Sequence, residues 1–291
     1  MTTTTVLADG IYFGEGPRWH DNRLWFSDFY AHAVKSCTID GKVTVEFTMD
    51  DQPSGLGWLP DGRMLIVAML ARKILRREHD GSLVVHADLG SIATGHCNDM
   101  VVDAVGRAYV GNFGFDLEEA FHTKTAAEIW ADHPTAHLAI VEPDGSVRIG
   151  ASEMHFPNGT VITPDGLVMI IGESMASRLT AFDIAPDGSL HNRRVWAAFD
   201  GRSADGIALD ALGRVWVANP MTNEVFCTNR GGIIVESITT TQPCYACMLG
   251  GPDGRTLFAL TAASAAESEA AVTPTGRLEI ARVSAPRAGR P

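Results

Sequence analysis

Apolar residues in this chain gather in short runs, and each run is entered from a polar turn usually built on glycine. Asp61-Gly-Arg leads into Met64-Leu-Ile-Val, Val105-Gly-Arg into Ala108-Tyr-Val, and Asp165-Gly into Leu167-Val-Met-Ile-Ile. Leu212-Gly-Arg leads into Val215-Trp-Val-Ala, and Asp253-Gly-Arg into Thr256-Leu-Phe-Ala, while Asp21-Asn-Arg before Leu24-Trp-Phe-Ser is a sixth copy. Runs this short, bounded by Gly and Asp, read as strands rather than helices. Taking Arg23, Gly62, Gly106, Gly166, Gly213 and Gly254 as anchors, the spacings are 39, 44, 60, 47 and 41 residues. Most match the roughly 40–50 residues of a four-stranded propeller blade. A second turn inside several copies, at Asp40-Gly41, Asp80-Gly81, Asp144-Gly145 and Asp187-Gly188, supplies a hairpin between outer strands. The pattern predicts an all-β fold, a six-bladed β-propeller of four-stranded antiparallel blades around a central channel. One domain over 1–291 is expected, with its core at about 11–283.

The spacing of 60 has a visible cause. The segment from Phe115 to about His137 lacks strand alternation, carries Phe115, Phe121 and Trp130, and reads as loop plus a short helix. It is expected to form a lid over a pocket. The Ala-rich stretch from Ala262 to Ala271 is a smaller insert, and 284–291 is expected to be a loose tail.

Equivalent positions of a radial repeat fall on one ring about the axis. Eight residues before the anchors stand Glu15, Ser54, Asn98, Asn158, Asp205 and Ala246. Singly, Asn-Gly, Asn-Asp and Asp-Gly are turn dipeptides whose side chains cap local backbone. In one phase of a repeat, two carboxylates and two amides instead form a hard, oxygen-rich set of the kind Ca²⁺ prefers. One divalent metal ion is therefore expected, Ca²⁺ first, with Zn²⁺, Mg²⁺, Mn²⁺ or Fe²⁺ as alternatives that ligand type alone does not separate.

Composition narrows the partners. Lys+Arg 23 against Asp+Glu 35 gives a net charge of −12, and with pI ≈ 5.2 there is no basic footprint for nucleic acid. The start Met1-Thr-Thr-Thr-Thr-Val-Leu carries no signal-peptide pattern, and no long apolar stretch suggests a membrane span. A cytoplasmic protein with no membrane partner is expected; oligomeric state is left open. Five cysteines, Cys37, Cys97, Cys227, Cys244 and Cys247, read as reduced thiols. Cys244-Tyr-Ala-Cys247 has no second ligand pair for zinc.

Four motifs, in order, carry a family resemblance: Gly14-Glu-Gly-Pro-Arg-Trp19, Asn98-Asp-Met-Val-Val-Asp-Ala-Val-Gly-Arg107, Pro157-Asn-Gly-Thr-Val-Ile-Thr-Pro-Asp-Gly166 and Ala204-Asp-Gly-Ile-Ala-Leu-Asp-Ala-Leu-Gly-Arg-Val-Trp216. The chain resembles the regucalcin/gluconolactonase/luciferin-regenerating-enzyme family of six-bladed propellers from about Ile11 to Val283. The resemblance implies that Glu15, Asn158 and Asp205 hold one divalent cation and that Asn98 lies at the metal or the substrate. Sugar-acid lactonases of that family often have Arg two residues before the last-named Asn. Here that residue is His96, and with Phe29, Met69, Leu70, Phe113 and Phe115 nearby it points to a less polar lactone or ester.

The expected chemistry is metal-assisted hydrolysis of a small-molecule lactone or related carboxylic ester. Asp205 is the candidate for activating the water and Asn98 for orienting the substrate. His96 and His155 are candidates for a general base or a supporting partner, and Glu173 is a candidate channel-lining carboxylate. No G-x-G-x-x-G, P-loop, G-x-S-x-G or H-E-x-x-H motif is present to suggest another machinery. A phosphotriester hydrolase on the same site and a calcium-binding propeller without catalysis are the alternatives.

Overall fold

The computed structural model of the protein describes residues 2–291. Six sheets of antiparallel blades succeed one another along the chain in a propeller. Blade 1 is Gly14–His20, Arg23–Asp28, Ala33–Cys37 and Val43–Thr48. Blade 2 is Pro53–Trp58, Met64–Ala68, Lys73–Arg77 and Leu83–Asp88. Blade 3 is Cys97–Val102, Ala108–Asn112, Ala136–Val141 and Val147–Met154, and blade 4 is Pro157–Ile162, Val168–Glu173, Arg178–Ile184 and Leu190–Ala198. Blade 5 is Ile207–Leu209, Val215–Asn219, Glu224–Thr228 and Ile234–Thr239, and blade 6 holds Cys244–Gly250, Thr256–Thr261 and Gly276–Arg282. The first strand of each blade packs against the first strand of the next, and blade 6 packs against blade 1, which closes the circle.

The second strands read as unbroken apolar runs because both of their faces are buried. In Met64–Ala68, Leu65 and Val67 join the layer facing blade 3, whereas Met64, Ile66 and Ala68 join the layer facing blade 1. In blade 5, Val215 and Val217 face blade 4 while Trp216 and Ala218 face blade 6. The core is thus a set of layers between blades, so each blade depends on both neighbours for burial.

The innermost strands approach backbone to backbone. A Cβ on Gly159 would stand 2.5 Å from the Asp205 carbonyl oxygen, and one on Gly16, at φ +55°, would stand 2.6 Å from the Ser54 carbonyl oxygen. The residue after each ring position is accordingly Gly16, Gly55, Gly159 or Gly206 in four blades, and Asp99 and Cys247 in the others.

Both chain ends depart from the sequence reading. Thr5–Ile11 pairs with Gly276–Arg282 as the fourth strand of blade 6, and Thr2–Thr3 pairs parallel to Ile234–Thr239 of blade 5. The ordered core therefore begins well before residue 11, because an unpaired strand edge in the last blade is satisfied by the first segment of the chain. The segment 284–291 is not a loose tail. It crosses from blade 6 to blades 5 and 4, donating from Arg287 N to Gly254 O, from Ala288 N to Leu209 O and from Arg290 N to Ile162 O at 2.8–2.9 Å. Ala285 within it is buried.

The long insert forms two short helices, Leu117–Thr123 and Ala126–Ala131, rather than one. Asp116 caps the first, and Thr125 with Glu128 closes a capping box on the second. Ile129 anchors the insert against Phe156 and Met175, with Phe113, Phe115 and Trp130 packed around them. Among the described residues no helix is long and apolar enough to cross a membrane.

Candidate metal centre

Each first strand begins at the same end of the propeller, and each second strand finishes there, as the pairs Gly14↔Asp28, Cys97↔Asn112 and Pro157↔Glu173 show. That geometry puts the ring residues and the insert between the second and third strands of blade 3 at one end. Glu15, Asn98, Asn158 and Asp205 are all buried. Ser54 and Ala246 occupy the two remaining ring positions, also buried and without a carboxylate or amide.

The two ring carboxylates feel one another. Burial pushes the Glu15 carboxyl well above the usual carboxylate range, and the charges of Asp205 and Asp99 push it further, while the Gly16 N–H and the Arg18 charge oppose. Burial also raises Asp205, followed by the Asp99 charge, against hydrogen bonds from the Asn158 side chain and the Gly206 N–H. The Asn158 amide donates to Ser174 Oγ at 3.2 Å, and Ser174 Oγ donates to Ala204 O at 2.8 Å, which fixes the amide plane.

Asn98 donates from Nδ2 to Pro157 O at 3.0 Å, while its Oδ1 is buried with no hydrogen-bond partner. Gly111 makes the room: a Cβ there would stand 2.6 Å from that Oδ1. An unpartnered buried amide oxygen on the same ring as two carboxylates raised by burial is the kind of oxygen donor set a divalent cation takes. The residues present fit a divalent ion held by Glu15, Asn158, Asp205 and Asn98. No group of three or more His, Cys, Asp or Glu side chains gathers for a metal among the described residues; two of the four ring side chains are amides.

Three residues join this site that the ring arithmetic missed. Asp99, buried beside Asn98, raises both ring carboxylates, and it is bound by Arg18 through Nη2 to Oδ1 at 2.5 Å. The sequence signal for one was there: Asp99 interrupts the glycine column. Tyr245 is the third. Burial and then the charges of Asp205 and Glu15 push its phenol up to about 12, so it stays a neutral hydroxyl at the mouth. Its ring meets Phe13 edge-on with centroids 4.7 Å apart, and Phe13 in turn contacts Phe29 at 5.3 Å.

The histidines divide. His96 is half-buried, its ring 6.0 Å from that of Phe113, which stacks on Phe156 at 4.4 Å. His155 is held by the insert, with Nδ1 3.0 Å from His133 Nε2, and its backbone N–H donates to Glu173 at 2.8 Å. Glu173 does not face the axis. Arg178 binds it at 2.9 and 3.1 Å, and Thr180 and Arg193 also donate to it. It is the last residue of its second strand, a position that in other blades is Asp28, Asn112 or Asn219. There too the side chain ties down loop N–H groups, as Asp28 does for Phe13 N at 2.9 Å. Cys244 and Cys247 are free, buried thiols. A cavity of about 820 Å³ opens at the opposite end, lined by Arg18, His20, Trp58, Arg107 and the docked tail, away from the ring.

Comparison with known proteins places the fold. The family model described as the SMP-30/gluconolactonase/LRE-like region matches residues 13–263. Regucalcin of Danio rerio is 27% identical over 202 residues, covering 65% of this chain and 62% of that protein, less than two thirds of its length. Two solved structures share the fold. A regucalcin of Agrobacterium tumefaciens, described as calcium-binding, superposes with TM-score 0.77 at 20% identity, covering 99% of this chain and 96% of the other. A gluconolactonase of Xanthomonas campestris superposes with TM-score 0.73 at 22% identity, covering 97% and 88%.

Proposed function

The chain belongs to the SMP-30/gluconolactonase/LRE-like family, and on that premise we propose that it is a divalent-metal-dependent hydrolase of a lactone or related carboxylic ester, with Ca²⁺ the first candidate ion. The observation that carries this reading is the buried ring set of Glu15, Asn98, Asn158 and Asp205, with one amide oxygen unpartnered and two carboxylates raised by burial and neighbouring carboxylate charge.

A divalent ion bound there would supply a Lewis acid for the substrate carbonyl and lower the pKa of an attacking water. Asp205 has a second carboxylate oxygen, which takes the proton as that water attacks. Asn98, fixed by its bond to Pro157 O, orients the substrate. Tyr245 presents a neutral hydroxyl beside both ring carboxylates, positioned to donate to a substrate oxygen. Phe113, Phe156 and the helical insert exclude water from one side of the mouth. His96, with Phe113 beside it, offers a polar edge on an apolar wall, which suits an ester less polar than a sugar acid.

The test is a panel of aliphatic and sugar lactones, aryl esters and one phosphotriester, assayed with Ca²⁺, Mg²⁺, Mn²⁺ or Zn²⁺ and again after chelation. Chelator-sensitive lactone turnover, lost in Asp205→Ala and Glu15→Ala together with metal binding, is the expected result. Full activity in a metal-free Glu15→Ala protein would overturn the mechanism. Turnover confined to the phosphotriester would move the reaction to phosphorus, and metal binding with no turnover across the panel would leave a calcium-binding propeller, the description given to the Agrobacterium tumefaciens relative.

A further inference from the structure

Arg18 stands three residues along the first strand of blade 1 from Glu15, and its side chain reaches the first strands of blades 2 and 3. Nε donates to Leu56 O of blade 2 at 2.8 Å, Nη1 to Pro17 O at 2.7 Å, and Nη2 to Asp99 Oδ1 of blade 3 at 2.5 Å and to Met100 O. Every nitrogen of the guanidinium is used, and the side chains of Arg18 and Asp99 are only 6% and 9% exposed. A buried ion pair costs desolvation that well-packed apolar residues would avoid, so its retention calls for another role. Arg18 also lines the cavity at the far end.

We propose that Arg18 is a specificity-determining residue for the axial cation: by binding Asp99 it keeps a third carboxylate from joining the ligands and sets the site to a net charge of minus two, matched to a divalent ion. This rests on the reading of Glu15, Asn98, Asn158 and Asp205 as metal ligands. The charge follows from the groups present. Glu15, Asp99 and Asp205 are carboxylates close enough to influence one another, and Arg18 is the one guanidinium bound among them. Without Arg18 the same ring would carry three negative charges and a spare carboxylate donor, which favours a trivalent ion over a divalent one because ligand charge sets cation affinity in such oxygen sites. The role belongs to positioning and charge, since every guanidinium nitrogen of Arg18 is already bound to protein.

The experiment is equilibrium binding of Ca²⁺ and Tb³⁺ at pH 7 to the full chain, read by Tb³⁺ luminescence and by Ca²⁺ competition, with no substrate present. Arg18→Met is expected to raise the Tb³⁺ over Ca²⁺ affinity ratio by about tenfold or more, as one added unit of negative charge at close range implies. Arg18→Lys, which keeps the charge, should hold the ratio near that of the wild type. Asp99→Asn should weaken Ca²⁺ binding, leaving one net negative charge. The double variant Arg18→Met with Asp99→Asn removes both partners, restores minus two, and should return the ratio toward wild type; it also covers the case in which Arg18→Met alone, with Asp99 left buried and unpaired, fails to fold. A wild-type ratio in folded Arg18→Met, or a raised ratio that persists in the double variant, overturns the proposal. Absence of cation binding in the wild type overturns instead the metal reading on which it rests, so the two failures are distinguishable.

Discussion

His133 Nε2 lies 3.0 Å from His155 Nδ1, and His133 Nδ1 lies 3.0 Å from the carbonyl oxygen of Ile129. A carbonyl only accepts, so His133 carries its proton on Nδ1; in the neutral ring Nε2 is then the acceptor, and His155 Nδ1 donates. The pair clasps the helical insert to the loop before blade 4.

Acidification is expected to loosen the insert, because His155 must then take a charge in a partly buried site. Burial lowers the His155 pKa below its ordinary value; the Glu173 charge opposes this, while His133, Arg178 and Arg193 add to it. For a histidine with a lowered folded pKa, the stabilisation is complete above the unfolded value of about 6.5 and is lost as pH falls from there through the folded value. Amide hydrogen exchange over 116–133, corrected for intrinsic rate, should be faster at pH 5 than at pH 7, and His133→Leu should show the fast pattern at both. Equal protection at the two pH values would remove the clasp.

The ring carboxylates carry the opposite sign. Glu15 and Asp205 have raised folded pKa values, so in metal-free protein they cost stability as pH rises from the unfolded carboxylate range, about 4, through the folded values. With chelator present, Glu15→Gln should melt above wild type at pH 8 and converge with it near pH 4. Calcium at one hundred times Kd should stabilise wild type by about 2.7 kcal/mol and Glu15→Gln by far less. Calorimetric melting with and without Ca²⁺ checks both halves.

Gly159 couples the blade packing to the ring. An added Cβ would meet Asp205 O and Ile207 N at 2.5 Å each, both of them backbone atoms that cannot turn aside. Gly159→Ala should cost about 1–3 kcal/mol, the range for overpacking, and should also weaken cation binding, because the displaced segment carries Asp205. Loss of stability with unchanged affinity would show that the ring tolerates the shift.

Removal of 286–291 should destabilise the propeller although it touches no ring residue. The segment makes backbone hydrogen bonds to Ile162, Leu209, Ala211 and Gly254, each contributing about 1 kcal/mol before the entropy of ordering the tail is deducted. A lowered melting temperature with unchanged Ca²⁺ affinity is expected, and a melting temperature equal to that of the full chain would return the segment to the status of a loose end.

The repeat was legible because each blade spells out its turn and its second strand, as in Asp61-Gly-Arg followed by Met64–Ala68 and Leu212-Gly-Arg followed by Val215–Asn219. Reading one offset in every copy then located Glu15, Asn98, Asn158 and Asp205. Glu173 shows the limit of that reading. Its place at the end of an inner strand suggested the channel, yet its side chain points to Arg178 and Thr180, because residues alternate across a strand and the sequence does not say which face meets the axis.

By itself the sequence determined the blade count, the ring positions and the place of the insert, since all three follow from local periodicity and turn chemistry. The tertiary structure alone decided that Thr5–Ile11 completes the last blade, that 284–291 straps three blades together, that Arg18 crosses to Asp99 and that His133 meets His155. Each of these joins residues from separate elements, and the first also closes the circle. Charge and hydrogen-bond partners across such distances leave no periodic trace, because only the packing of one blade on the next brings them together.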